Sequence, residues 1–441
     1  MRRYEKYKSS GVEWLGEIPE HWEVKRVKDL TSIISKGTTP STEGESLTDF
    51  GVRFIKAENI KENGIVSDEP SFFISEETNK LLSRSRLKDK DLLLVIAGAT
   101  TGKIAVINEY QLPANTNQAV CFIRLKKTEV IDGFKYKYYF INSSYFQSLI
   151  WLYSLSSAQP NLPMAVLGRM SVYFPPFSEQ TTIANYLDAK TSAIDRKIEL
   201  LTAKTAKYNA LRRSLINETV CRGLNPNAPL KDSGIEWIGK IPAHWEVKRF
   251  KDVVAKYTTG GTPTTSNTDY FEGNNIWVCI SDISESAYIY DSKIKLTDEA
   301  IRSLNIIKTP KGSLLFSFKL SIGKIAFVEK SVYTNEAILS IFPNKNIDLK
   351  YYYFMLPIFM LLAATENIYG AKMLNQKLIA NALVVHPSIE EQSIIAEHLE
   401  NKTAQIDTIL TNISNQINKL KQLRKTLING VVTGKIKVTE D

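Results

Sequence analysis

Residues 179–222 and 391–434 each repeat apolar side chains at a heptad step for about five heptads, and any fold of this chain must find a partner for both seams. In the first stretch Leu187, Ile194, Leu201, Tyr208 and Leu215 fall seven apart, with Thr191, Ile198 and Thr205 in the second seam position. In the second, Leu399, Ile406, Ile413, Leu420 and Leu427 keep the step, joined by Thr403, Leu410, Ile417 and Val431. At a rise of ~1.5 Å per residue each helix spans roughly 65 Å, longer than a small domain. The pair reads as a strut in which the two helices partner each other.

The helices belong to a larger duplication. Residues 10–29, SGVEWLGEIPEHWEVKRVKD, return as residues 233–252, SGIEWIGKIPAHWEVKRFKD, with fifteen of twenty positions identical. The register persists through Gly37-Thr38-Thr39-Pro40 and Gly260-Gly261-Thr262-Pro263, and through residues 55–60 and 278–283. After small deletions it resumes at Gly102-Lys103-Ile104-Ala105 and Gly323-Lys324-Ile325-Ala326, then at Asn117-Gln118-Ala119 and Asn335-Glu336-Ala337. The order is globular domain, helix, globular domain, helix, with segments 1–154, 155–228, 229–367 and 368–441. Between the shared blocks the copies differ almost completely, as in 41–52 against 264–277 and 63–91 against 286–312. A common scaffold carrying two unlike surfaces suits the reading of two unlike targets, and equally suits drift after duplication.

Short apolar runs at 52–55, 92–96, 104–107 and 119–125 lie between Gly, Asn and Pro turn signals and predict strands, while 136–152 and 350–364 predict helices. The expected class is α/β or α+β. Helix entry is marked by Pro175-Pro176-Phe177-Ser178 and by Pro387-Ser388, where Ser388 and Glu391 predict a capping box. The first copy has Thr181 three residues after Ser178, where that box wants an acid. Gly223 and Pro226 predict the first helix stop.

Chemistry is sparse. Gly98 to Lys103 has three residues between its glycines and Ile104 after the lysine, so it fails the phosphate-loop pattern and reads as a strand-turn-strand. Phe174-Pro175-Pro176-Phe177 resembles an amino-methylating loop but lacks its polar first residue. His21, His244, His386 and His398 offer no metal spacing, and Cys121, Cys221 and Cys279 form neither a CxxC pair nor an even framework, which fits a reducing cytosol. The longest apolar run, 354–364, is interrupted by Pro357 and too short to span a bilayer, so a cytoplasmic location without membrane attachment is expected. No catalytic centre, resident cofactor or metal is expected.

Against 47 acidic residues stand 56 basic ones, and the formal charge of +9 favours a polyanionic partner. Candidate DNA contacts are Gly37, Thr38, Thr39, Pro40, Gly260, Gly261, Thr262 and Pro263, whose small and hydroxylated side chains let backbone approach a phosphate. Lys103 and Lys324 suit phosphates, and Asn117 and Asn335 suit a base edge or a phosphate. Each alone is more often a turn residue. Lys190, Lys197 and Lys204 form a basic stripe on the first helix, solvated or facing a polyanion.

On these motifs the chain resembles the specificity subunit of type I restriction-modification systems over essentially its whole length. The duplicated EWxGxIPxHWEVKRxKD entry, Gly-x-Thr-Pro, the Asn-Gln/Glu-Ala block and the EQxxIAxxLxxKTxxID helix start carry the resemblance. It implies two target recognition domains, each reading half of an asymmetric bipartite site in double-stranded DNA. It further implies an antiparallel coiled coil with pseudo-twofold symmetry, which sets the gap and docks two modification subunits that methylate adenine with S-adenosylmethionine. Two restriction subunits using ATP and Mg can join. The alternative from another class is a coiled-coil assembly scaffold whose duplicated domains bind protein, which weak DNA affinity would favour.

Overall fold

The structure, a computed structural model, describes residues 2–13, 15–61, 64–128, 133–154, 160–284, 286–319, 321–366 and 372–438. Trp14 of the duplicated entry and the domain boundaries expected at 155 and at 367–368 lie outside the described residues. The chain forms two compact units, Met1–Leu201 with Asn415–Asp441, and Thr202–Ser414.

In the first unit the runs of apolar residues become the middle of a four-stranded antiparallel sheet, ordered Thr31–Lys36, Val120–Leu125, Leu92–Val95, Ile104–Val106. Leu92–Val95 is unbroken in hydrophobicity because both sheet faces are covered. Leu92, Leu94, Cys121 and Ile123 face the helices Phe134–Ile141 and Ser144–Ser154. Leu93, Val95, Val120 and Phe122 face a second core with Ile55 and Ala114. That side carries a three-stranded sheet of Phe73–Ile74, Val52–Ile55 and Ala114–Thr116, the last two parallel.

The second unit repeats the plan. Its central sheet runs Tyr257–Thr259, Ile338–Ile341, Leu314–Ser317, Ile325–Val328, Tyr288–Ile289. Beside it lie Lys295–Leu296, Asn275–Val278 and Tyr333–Thr334, again with a parallel pair. The 92–106 and 314–328 segments are strand-turn-strand hairpins, as the failed phosphate loop implied. The helix expected over 136–152 is broken in two, because Ser143 Oγ accepts from Phe146 N at 3.3 Å and starts a new helix. Its counterpart Leu349–Ala363 continues through Pro357.

The two long helices are Phe177–Arg222 and Ile389–Val432, of 46 and 44 residues. Their exposure follows the heptads: Leu187, Thr191, Leu399, Thr403, Ile406, Ile413, Leu427 and Val431 are buried, and Ile194, Ile198, Leu201, Tyr208, Leu215, Leu410 and Leu420 are half-buried. The first helix begins at Phe177, earlier than the Ser178 entry expected, so Ser178 is no cap and Thr181 is not the counterpart of Glu391. Glu179 is. At the second entry only half of the capping box forms: Ser388 Oγ accepts from Glu391 N at 3.3 Å, while the Glu391 carboxylate turns to His244. Gly223, at φ +73°, ends the first helix as expected.

Each unit contains the start of one long helix and the end of the other, running in opposite senses. In the first unit Asp195 pairs with Arg424 at 2.9 Å, and Trp22 lies against both Glu179 and Gly434. In the second, Asp407 pairs with Arg212 at 3.4 Å, and Gly223 lies against Trp245 and Glu391. No described helix is long and apolar enough to cross a membrane.

Candidate nucleic-acid interface

In both units, shared blocks far apart in sequence close onto one end of the parallel strand pair. Thr38 N donates to Thr116 O at 3.1 Å and Gly37 N to Val120 O at 3.2 Å, while Thr116 Oγ1 donates to Ile55 O at 2.8 Å. Gly261 N donates to Thr334 O at 3.0 Å and Asn335 N to Val278 O at 3.1 Å. The first glycine of each Gly-x-Thr-Pro is dictated by this approach. A Cβ on Gly37 would stand 1.9 Å from Thr116 O, and one on Gly260 1.6 Å from Thr334 O. Its small size therefore serves strand-end packing within the unit.

The remaining candidates fall around that junction as follows. Thr39 precedes a 3-10 turn begun by the buried Pro40, and Pro263 is buried as well. Thr38 Oγ1 accepts from Arg84 at 3.3 Å. Thr262 Oγ1 donates to the Glu336 carboxylate, and this bond chiefly holds the Glu336 carboxyl below its ordinary range despite partial burial, with Lys319 adding to the effect. Asn117 and Asn335 each accept, through Oδ1, from the amide two residues on at 3.2 Å, fixing the same turn twice. Lys324 is exposed, and its Nζ reaches Ile280 O at 3.4 Å. Lys103 lies instead in a basic groove of about 780 Å³ with Lys61, Gln147, Trp151, Arg424 and Lys425. The helix lysines Lys190, Lys197 and Lys204 are exposed.

Two relationships escaped the sequence. His21 Nε2 sits 2.7 Å from Glu179 Oε2, 158 residues on, and Trp22 Nε1 donates to the same carboxylate at 3.3 Å. His244 and Glu391 repeat the contact at 3.0 Å. The duplicated histidines thus tie the entry segment to the helix start, and the recurrence of His and Glu at matched places in both copies was the available signal. The second is a tyrosine. Tyr136 Oη donates to Tyr173 O at 2.8 Å and lies 3.1 Å from Val432 O, and Tyr351 Oη donates to Val220 O at 3.2 Å. Burial raises both phenols well above their ordinary range, so they stay protonated donors. Tyr351 satisfies a carbonyl at the C-terminal end of a long helix, and Tyr136 lies within hydrogen-bond distance of one while donating to Tyr173 O.

Burial also pushes the Cys121 thiol up to about 12 and those of Cys221 and Cys279 to about 11, so none offers a thiolate at neutral pH. Among the described residues no group of three or more His, Cys, Asp or Glu is placed to hold a metal.

Residues 19–207 and 242–419 match the family described as Type I restriction modification DNA specificity domain. Among curated relatives, the Type I restriction enzyme MjaVIII specificity subunit of Methanocaldococcus jannaschii is 21% identical over 445 residues, covering 96% of this chain and 94% of that one. The MjaIX specificity subunit of the same organism is 28% identical over 194 residues, 41% of this chain and 44% of the relative. A solved chain from work on complex assembly and conformational transition of the type I R-M system superposes with a TM-score of 0.72 at 15% identity, covering 95% of this chain and 99% of that one.

Proposed function

Since the chain belongs to the Type I restriction modification DNA specificity domain family, matched across both copies of its repeat, we propose that it reads a bipartite site in double-stranded DNA. One target recognition domain, 1–154 or 229–367, reads each half-site. The observation that carries this is the twice-built junction of Gly-x-Thr-Pro with the Asn turn: the same hydrogen bonds frame surfaces that otherwise differ. A basic chain of formal charge +9 suits the phosphate backbone.

The helical regions 155–228 and 368–441 form an antiparallel coiled coil with pseudo-twofold symmetry. The heptad burial supports this, as do the ion pairs Asp195–Arg424 and Asp407–Arg212, which use the same two repeat positions with the helices exchanged. The strut docks two modification subunits, and restriction subunits can join them. The chain itself is a specificity component and no enzyme. S-adenosylmethionine belongs to the modification subunits, ATP and Mg to the restriction subunits, and the complex works in the cytoplasm.

The test is adenine-methylation mapping of DNA exposed to the full chain assembled with modification subunits. A split recognition sequence is expected, together with DNA affinity that falls steeply with salt. Methylation without sequence preference, or salt-independent weak DNA binding with intact partner assembly, would favour the protein-binding scaffold instead.

A further inference from the structure

The two units present different chemistry at one equivalent, exposed position. After Ala114–Thr116 the turn is closed by Val120 N donating to Asn117 O at 3.2 Å, and after Tyr333–Thr334 by Ile338 N donating to Asn335 O at 3.3 Å. Asn117 and Asn335 brace these turns from the same atom. The residue that follows each asparagine is exposed: Gln118 in one unit, Glu336 in the other. We propose that this position discriminates bases, Gln118 selecting adenine and Glu336 selecting cytosine. The inference rests on the DNA-reading function proposed above.

Gln118 has no side-chain hydrogen bond to any described residue, so its amide offers a donor and an acceptor together. Among single bases in the major groove, adenine alone presents a matching pair, the N7 acceptor beside the N6 amino donor. Glu336 is different. One carboxylate oxygen is engaged by the Thr262 hydroxyl, and that bond and Lys319 keep the group ionised. The second oxygen remains an acceptor only. On a surface meeting a polyanion an ionised carboxylate is repelled by phosphates, so it gains only where a base donates to it. Adenine pairs its amino donor with N7, which repels a carboxylate; cytosine N4 does not. Thr262 belongs to the same Gly-x-Thr-Pro block whose glycine packs on Thr334, so the carboxylate is aimed by the scaffold itself.

The test uses the full chain assembled with modification subunits and selection from a library of randomised DNA duplexes, read by sequencing. Gln118→Glu should convert one adenine to cytosine in one half-site. Glu336→Gln should convert one cytosine to adenine in the other, and Gln118→Ala should abolish preference at the first position without creating another. Each change in preference should be on the order of 5- to 150-fold, the span of a good base contact. Circular dichroism confirms that each variant is folded, and any one that folds suffices. Unchanged preferences, a variant that alters both half-sites, or a uniform loss of affinity without a base change would overturn the proposal. If the unsubstituted complex selects no split sequence, the functional reading itself fails, an outcome distinguishable from failure of this position alone.

Discussion

Gly37→Ala separates two roles a glycine can play at this junction. The added methyl would lie 1.9 Å from Thr116 O, 2.2 Å from Thr116 C and 2.5 Å from Asn117 O, all backbone atoms that no rotamer change can move. Ordinary carbon–oxygen contact is about 3.3 Å, so the strand ends must part by about 1.4 Å. That separation breaks the Thr38 N to Thr116 O and Gly37 N to Val120 O bonds. Overpacking costs about 1–3 kcal/mol and each bond about 1 kcal/mol, for roughly 3–5 kcal/mol in local opening. Amide exchange across residues 114–120 should accelerate by about two to three and a half powers of ten, at 1.4 kcal/mol per tenfold. Gly260→Ala should act on residues 333–338 in the same way, its methyl standing 1.6 Å from Thr334 O. Gly44→Ala is the control: its φ is +75° but nothing lies within 4 Å, so it adds only backbone strain of about 1–2 kcal/mol, outside the junction. In the assembled complex Gly37→Ala should weaken one half-site and spare the other. Wild-type exchange at 114–120 with lost DNA affinity would refute the packing account and return the glycine to phosphate contact.

Other perturbations probe the strut and the Glu336 carboxylate. Ile406→Asp places a carboxylate at a position 7% exposed, at a cost of several kcal/mol, and Ile198→Asp, at a half-buried site, should cost less. Size-exclusion recovery of a complex with modification subunits should fail for the first, and normal recovery would count against seam pairing. The Asp195–Arg424 pair is partly exposed, so a double-mutant cycle with alanine should give about 0.2–1 kcal/mol, vanishing at high salt; a larger, salt-insensitive coupling would contradict that assignment. Glu336 has a lowered folded-state pKa, so its contribution to stability is present above the unfolded value and lost as pH falls through the folded one. Thr262→Val should raise the Glu336 titration towards the ordinary carboxylate range, measured by carbon NMR, and an unmoved midpoint would remove Thr262 as the main cause.

What was legible in the sequence is what repeats at short range or by identity. The seam positions declare themselves by a step of seven, and Leu92–Val95 by four apolar residues in a row, because these patterns arise from local geometry. Partners that depend on chain return were not legible. Gly37 carries no sign that Thr116 will close on it, and His21 signals Glu179, 158 residues on, only through the recurrence of the same pair as His244 and Glu391. The helix entry misled for a related reason. Ser178 looks like a cap, yet Phe177 already lies in the helix and Pro176 O accepts from Gln180 N. The position equivalent to Ser388 is Pro176, which no side-chain capping rule would mark.

The way each unit is completed constrains which parts can vary. Within the first unit, Tyr136 Oη lies 3.1 Å from Val432 O, Lys135 pairs with Asp188, and Gly434 fits against Pro19 and Trp22, where a Cβ would come within 2.2 Å of Pro19 Cδ. Within the second, Tyr351 satisfies Val220 O and Lys350 pairs with Glu400 at 2.9 Å. The Tyr136, Gly434 and Tyr351 contacts join a globular half to a helix end contributed by the other half of the sequence, so neither half contains all the partners its own unit needs, whereas Lys135–Asp188 and Lys350–Glu400 stay within one half. Replacing residues 31–153 with the same region of a relative therefore keeps the Val432 contact only if the donor supplies a phenol at the place of Tyr136, while loss of the exposed Lys135–Asp188 pair should cost no more than about 1 kcal/mol. No such requirement falls on 41–50, where the residues from Ser41 to Phe50 are half-buried or exposed. The shared blocks recur in both copies where backbone and helix ends depend on them, and the stretches between can diverge where the packing leaves their outer faces unconstrained.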